Sequence, residues 1–190
     1  MGSLKNYSAF WTLALMLILI KGVDAQSFIP LDQSPHDIVY CRSSDPLAYP
    51  IVKVVYGRPS ARNNTVFGTQ VPYGKIWRTG SNESTEIKFY QDVMFGNKFV
   101  KAGTYVLYTI PNENYWTIIL NNQTDTYGSF LYEPENNIAK IKVPAGNGEM
   151  IENFTIVFTP QDYGSLMVLA WAKTRIKVPL YTESSLLTKR

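Results

Sequence analysis

Apolar side chains recur at every second position along most of this 190-residue chain. Ile87 and Phe89, for example, alternate with Glu86, Lys88 and Tyr90. A period of two places alternate side chains on opposite faces of a β-strand, whereas a helix needs a period of about 3.6. The segments with this spacing are 52–56, 86–90, 116–120, 139–143, 154–158 and 166–171. The pattern predicts a series of strands, each with one face in a core.

Clusters of turn-forming residues separate these segments. Gly96-Asn97 predicts a two-residue type II′ hairpin loop, because glycine readily adopts the positive φ that this turn requires. The other predicted turns are Ala102-Gly103, 111–114, Gly146-Asn147-Gly148 and 162–164. Eight to ten short strands spaced in this way predict an all-β fold, an antiparallel β-sandwich of the immunoglobulin-like or jelly-roll-like kind. We expect residues 36–180 to form this single domain.

The first 25 residues have the layout of a secretory signal peptide. Lys5 precedes an apolar run at 10–20, and Val23-Asp24-Ala25 forms a small-residue exit, which predicts cleavage after Ala25. The apolar run is shorter than the roughly 20 residues that span a bilayer. We therefore expect a secreted or periplasmic protein without a transmembrane span, with an uncleaved signal anchor as the alternative. Residues 26–35 and 181–190 are predicted to be an approach segment and a flexible tail.

Charge and residue counts argue against several classes of function. The net charge is only +3, and the lysines are spread along the strands, which argues against a nucleic-acid partner. Cys41 is the only cysteine, so no disulfide can form within the chain. We expect Cys41 to be a buried free thiol, with an intermolecular bond as the alternative. His36 is the only histidine, and no Gly-x-Ser-x-Gly elbow accompanies it.

Cofactor and metal motifs are not apparent in the sequence. A zinc site usually needs two or more His or Cys ligands, and no Asp-x-Asp-x-Asp loop suggests calcium. No glycine-rich loop leads from a strand into a helix, as a phosphate-binding loop would. We expect neither a metal nor a cofactor.

The segment 57–85 is the strongest candidate for a functional site. It is a long connection between two predicted strands, and it holds too many apolar residues to be disordered. An arginine fork recognises carboxylates or phosphates, and aromatic faces stack on flat apolar groups. The predicted ligand-binding residues are Arg58, Arg62, Tyr73, Trp77, Arg78, Asn82 and Glu83. The structural alternative is that Arg78 pairs with Glu83 or stacks on Trp77 and only locks the loop.

Three functions remain open. The preferred one is an extracytoplasmic module that binds a small polar or glycan-like ligand, or an envelope partner. The second is a hydrolase of glycan or cell-wall material, which needs two carboxyl groups and would pair Glu83 with Glu86, Asp92 or Glu113. The third is a structural or assembly component of the envelope, which a large exposed apolar patch away from the loop would favour.

Several motifs together resemble a known family. They are VVYGRPSAR, FGTQVPYGKIWRTGSNESTEIKF, AGTYVLYTIP, WTIILN, YGSFLY and LAWAKTRIKVPL, which span residues 34–180. This succession is similar to DUF2911, a bacterial envelope family of unknown function. The resemblance implies a secreted or periplasmic β-domain with no assigned activity, and it transfers no catalytic residue to this chain.

Overall fold

Nine strands make up most of the residues that the structure, a computed structural model, describes, which are 32–43 and 48–182. The strands are β1 (His36–Cys41), β2 (Val52–Gly57), β3 (Glu86–Phe89), β4 (Val93–Phe95), β5 (Lys98–Val100), β6 (Gly103–Pro111), β7 (Tyr115–Asn121), β8 (Asn137–Gln161) and β9 (Gly164–Thr182). One short 3-10 helix, Pro134–Asn136, precedes β8. The predicted signal peptide lies outside the described residues, as do residues 183–190 of the predicted tail. The tail prediction is wrong for its first two residues, because Tyr181 and Thr182 belong to β9 and pair with β4.

The strands form one open antiparallel sheet in the order β1-β2-β3-β6-β7-β8-β9-β4-β5. In this order β2 and β8 are four places apart, which in a flat sheet would separate them by about 19 Å, since neighbouring strands lie about 4.8 Å apart. The rings of Tyr56 in β2 and Phe154 in β8 are nevertheless only 5.7 Å apart. The sheet therefore folds over, and strands that are distant in the order share one core.

The alternation of the sequence decides which side chains enter that core. In β2, for example, Val52, Val54 and Tyr56 are buried, while Lys53 and Val55 between them are only half-buried. The inward residues of both halves of the sheet belong to one hydrophobic cluster. A second, smaller cluster of Val106, Tyr108 and Ile119 lies on the opposite face of the central strands. The prediction of an all-β antiparallel fold with eight to ten strands is confirmed.

The glycine-rich segment Gly146–Gly148 corrects one predicted turn. It lies inside β8, which continues without a reversal to Gln161. β8 first pairs with β7, up to Pro144, and then with β9, and the pairing with β9 shifts register after Asn147. Glycine within a strand often marks a bulge or bend rather than a chain reversal. Here the glycines lie where a long strand changes its pairing partner.

The other chain reversals agree with the sequence. Gly96 has a φ of 60° in the hairpin that joins β4 and β5, as the predicted turn requires. Asp162 and Tyr163 connect β8 to β9. In the described part of the chain, no helix has the length and apolar character needed to cross a membrane.

Candidate functional site

Trp77 fixes the loop between β2 and β3 to the core. Its side chain is 8% exposed, and its indole is stacked with Trp171, with ring centres 5.9 Å apart. The rings of Phe67, Trp116 and Phe154 also contact it. The indole N–H donates to the Gly80 carbonyl at 3.1 Å, so its polar atom is satisfied within the loop. The structure therefore places Trp77 in the core and not on a surface that a ligand reaches.

The residues after Trp77 form a tight, internally bonded loop. The Trp77 N–H and carbonyl both bond to Thr109 of β6, at 2.8 and 2.9 Å. The Thr85 hydroxyl donates to the Thr79 carbonyl at 2.8 Å, and its backbone N–H donates to the Arg78 carbonyl at 3.2 Å. These bonds hold residues 77–85 as a rigid support for the groups at its edge.

Three of the predicted ligand-binding residues contact the chain's own segment 33–37, at the start of β1. The pairs are Arg58 with Asp37, Arg62 with Gln33, and Glu83 with His36. A backbone hydrogen bond adds to these side-chain contacts, since the Arg58 N–H donates to the Pro35 carbonyl at 3.0 Å. Part of the polar set predicted to bind a ligand therefore holds the first strand against the loop.

Arg58 is the most fully bonded of these residues. Its guanidinium donates to Asp37 Oδ2 at 3.1 Å, to the Phe154 carbonyl at 3.2 Å and to Thr155 Oγ1 at 3.1 Å. Tyr56 also donates to Asp37 Oδ2, at 3.3 Å. Arg58 thus ties β1 to β8.

The remaining predicted residues are dispersed. Tyr73 is 39% exposed and lies against Gly68. Arg78 is half-buried, and its Nε is buried with no partner among the described residues. Asn82 is half-buried and has a φ of 61°. Its backbone carbonyl accepts a hydrogen bond from the Gly128 N–H at 3.0 Å. The structure therefore does not bring the seven predicted residues into one surface.

A pocket of about 440 Å³ lies on the outward face of the sheet, beside Glu83. Its lining residues are His36, Val55, Glu83, Ser84, Glu86, Asp125, Thr126 and Tyr127. Val55 pairs directly with Glu86 of β3 and with Ile38 of β1, so the floor of the pocket is the outward face of three neighbouring strands. The walls are the loop edge at Glu83 and the segment 125–127.

Hydrogen bonds join the two walls of this pocket. Glu83 and Tyr127 form an isolated antiparallel bridge, and the Ser84 N–H donates to the Thr126 carbonyl at 2.9 Å. The Thr126 hydroxyl donates to Ser84 Oγ at 2.8 Å and lies 3.1 Å from the Tyr108 hydroxyl. The Asp125 N–H donates to Glu86 Oε1 at 3.1 Å. The pocket is therefore preformed by the fold.

The chemistry of the pocket is dominated by hydrogen-bond acceptors. Three of its lining residues are acidic, Glu83, Glu86 and Asp125, and His36 Nε2 lies 2.9 Å from Glu83 Oε2. An ionised carboxylate can only accept hydrogen bonds. Tyr127 is 60% exposed and adds an aromatic face. The arrangement favours a ligand that donates hydrogen bonds and carries a flat apolar surface.

One residue of the pocket wall has a strained backbone, and two more lie in the loop that ends at Glu83. Asp125 in the wall has a φ of 57°, and Thr79 and Asn82 in the loop have φ values of 59° and 61°. A positive φ is uncommon outside glycine, and for a β-branched residue such as Thr79 it is an outlier. Residues held in such conformations cluster at binding and catalytic sites.

A second pocket, of about 450 Å³, lies at Cys41. The Cys41 thiol donates to Ser165 Oγ at 3.3 Å, and burial raises its pKa above the usual range. The thiol is therefore less often ionised than an ordinary cysteine, and the thiolate is the reactive form. Cys41 is buried, as expected, and forms no disulfide within the described residues. Over residues 32–43 and 48–182, no group of three or more His, Cys, Asp or Glu side chains is arranged to hold a metal ion.

Comparison with protein families identifies the chain. A family model described as a protein of unknown function, DUF2911, matches residues 43–180. The chain belongs to the DUF2911 family. No curated protein and no solved structure matched this DUF2911 protein. The region matched by the family model includes every lining residue of the pocket at Glu83 except His36, which lies in β1 before residue 43.

Several pocket residues of the DUF2911 protein were not predicted as ligand-binding residues. As the only histidine, His36 indicates neither a catalytic triad nor a zinc site, and Asp125 and Thr126 belong to no motif in the sequence. Glu86 and Asp125 lie 39 positions apart, and they meet only because the strands pair as they do. The clearest available signal was the single histidine at the beginning of an edge strand.

Proposed function

We propose that this DUF2911 protein is an extracytoplasmic binding module whose pocket at Glu83 holds a small, hydroxyl-rich, glycan-like ligand. The observation that carries the proposal is the grouping of Glu83, Glu86 and Asp125 around one preformed pocket beside the exposed ring of Tyr127. The pocket volume of about 440 Å³ is within the usual range for small-molecule sites, roughly 300–1,000 Å³. The signal-peptide pattern of residues 1–25 supports a secreted or periplasmic location.

Each part of the pocket has a role in this proposal. The carboxylates accept hydrogen bonds from ligand hydroxyl groups, and the Tyr127 ring stacks on the apolar face of a sugar. The pocket has three acidic residues and only one histidine, so its net charge is negative. An ammonium group on the ligand therefore adds a favourable charge interaction, which salt weakens. Amino sugars should therefore bind more tightly than their neutral counterparts.

The test is a calorimetric comparison of glucose with glucosamine and of galactose with galactosamine. We expect the amino sugar of each pair to bind more tightly, and the difference to shrink as salt is added. Glu83→Gln and Tyr127→Ala should each weaken binding about tenfold or more, which corresponds to about 1.4 kcal/mol. Glu113→Gln is the matched control, because Glu113 is an exposed carboxylate outside the pocket. Equal effects of Glu83→Gln and Glu113→Gln would contradict the proposal.

The second candidate is a carboxylate-dependent hydrolase. One observation favours it, since Glu83 and Glu86, an acid pair suggested by the sequence, line the same pocket together with Asp125. Asp92 and Glu113 do not line it. Hydrolysis predicts that Glu83→Gln abolishes turnover of a glycan substrate while the circular dichroism spectrum is unchanged. An unchanged turnover rate would exclude a catalytic role for Glu83.

A further inference from the structure

β1 is at one end of the sheet order, so one of its edges has no strand partner among residues 32–43 and 48–182. The Pro35 carbonyl accepts a bond from Arg58, and the Cys41 carbonyl accepts one from Ile51, so the odd-numbered residues direct their backbone groups toward β2 and its flanks. Backbone groups alternate in direction along a strand. Those of Ile38 and Tyr40 therefore point to the open edge. Consistently, the Ile38 N–H donates to Asp37 Oδ1 at 2.8 Å.

This edge has little protection against strand addition. Proteins protect open edges with charged side chains, proline, a bulge or a covering element. Within β1 the protecting group is the Asp37 carboxylate, which accepts the Ile38 N–H and would have to release it to an added strand. β1 reads HDIVYC, and its pairing with β2 is unbroken over all six residues. Its outward side chains include Ile38, which is 52% exposed, and Tyr40, which is 41% exposed. A regular, unbulged edge with exposed apolar side chains is typical of a strand-pairing surface.

We propose that β1 pairs antiparallel with β1 of a second copy of this chain, about a two-fold axis at Val39. This register places Ile38 opposite Tyr40 of the second copy, and the symmetry repeats the contact. Pairs of an aromatic and a β-branched residue directly opposite each other stabilise antiparallel strands. The same register places Arg42 opposite His36 of the second copy, beside the acidic pocket.

Charge complementarity selects a second copy as the occupant. Arg42 is exposed one residue beyond β1, and the Glu83 carboxylate next to His36 has a side-chain exposure of 60%. An arginine arriving opposite His36 can approach Glu83 without displacing a buried group. Each copy would then supply Arg42 to the pocket wall of the other, so that two identical ion pairs flank the apolar centre. The inference does not depend on the ligand proposed for the pocket.

The test is sedimentation velocity of the full chain over a range of protein concentrations. We expect a weak, concentration-dependent dimer, because an edge-to-edge strand pair buries little surface. Arg42→Glu and Glu83→Lys should each weaken the dimer about tenfold or more, since each variant opposes like charges. An equimolar mixture of the two variants should recover the dimer, because the exchanged charges match again. Lys140→Glu, an exposed charge on β8, should have no effect.

Hydrogen exchange gives a second readout at the edge itself. The Tyr40 amide should become more protected as protein concentration rises, and Arg42→Glu should reverse this protection; the Ile38 amide already donates to Asp37 in the monomer and is a weaker reporter. A monomer at every concentration would overturn the proposal, and so would a mixture of variants that fails to recover the dimer. Protection of the Tyr40 amide in a monomer would show that another segment or partner occupies the edge, which would also overturn it.

Discussion

At the scale of single residues, Trp77 and Glu83 lie six positions apart in one loop and have opposite environments. Trp77 packs against four other aromatic rings in the core, whereas Glu83 is exposed at the pocket. The buried indole fixes the loop to the core, and the fixed loop positions the exposed Glu83 carboxylate. Under the proposed function, stability and ligand binding depend on different residues of the same loop.

Trp77→Ala should lower the free energy of unfolding by about 3–5 kcal/mol, because it removes a large side chain from a packed core. Tyr73→Ala is the control in the same loop, since Tyr73 is 39% exposed, and it should change stability much less. Urea unfolding followed by circular dichroism measures both. A Trp77→Ala variant as stable as the unaltered protein would contradict the placement of Trp77 in the core.

Gly57→Ala should displace the loop, because a methyl group there would overlap the carbonyl oxygen and the hydroxyl of Ser81. Overpacking of this kind costs about 1–3 kcal/mol. Gly146→Ala is the matched control in another strand, since its methyl group would meet nothing closer than 3.6 Å. Thermal unfolding should separate the two variants. Equal melting temperatures would show that the loop does not depend on this close approach.

The sequence did not specify where each candidate site residue lies in the fold. Asn82 and Glu83 lie at or next to the pocket edge, but Trp77 is in the core and Arg58 ties β1 to β8. Alternation assigns side chains to inward or outward faces only within strands. The loop 57–85 has no such period, so the direction of each side chain depends on tertiary contacts that the sequence does not display.

At the scale of elements, Glu152 in β8 holds the start of the loop. Its Oε1 accepts bonds from the Ser60 hydroxyl and, at 2.7 Å, from the Arg62 N–H. The Ser60 bond first, and then the Arg62 bond, lower the pKa of the Glu152 carboxyl below its ordinary value of 4.5. The bonds therefore favour the ionised carboxylate, which anchors the corner formed by residues 60–62.

A carboxyl whose pKa is lower in the folded than in the unfolded state stabilises the fold above the unfolded-state pKa. That stabilisation is lost as the pH falls through the folded-state pKa. Glu152→Gln should therefore be less stable than the unaltered protein at pH 7, and the difference should shrink below pH 4.5. Urea unfolding between pH 7 and acidic pH measures it, with Glu149→Gln as control. A difference that grows toward low pH would contradict this role of Glu152.

Most elements followed from local patterning, because a strand with one buried face needs alternating side chains whatever its partners are. The exception is Gly146–Gly148, where glycines that usually end a strand instead bend one. That outcome depends on β8 pairing with β7 and then with β9. Such pairings join residues far apart in the chain, and a local pattern cannot specify them.

At the scale of the whole molecule, the strand order assembles the pocket. His36 comes from β1, Glu86 from β3, and Asp125 from the connection after β7, so no short segment contains the site. The long connection between β2 and β3 was predictable from its length and composition. The pocket partners of Glu83 were not, because they depend on the strand order.

The central claim is that this acceptor-rich pocket binds a donor-rich ligand. The most direct measurement is an amide NMR spectrum of the protein titrated with glucosamine. The account predicts saturable shifts of the Glu83, Thr126 and Tyr127 amides, with those near Cys41 unchanged. Shifts confined to other surfaces, or no saturable shift in the pocket with any of the four sugars, would contradict it.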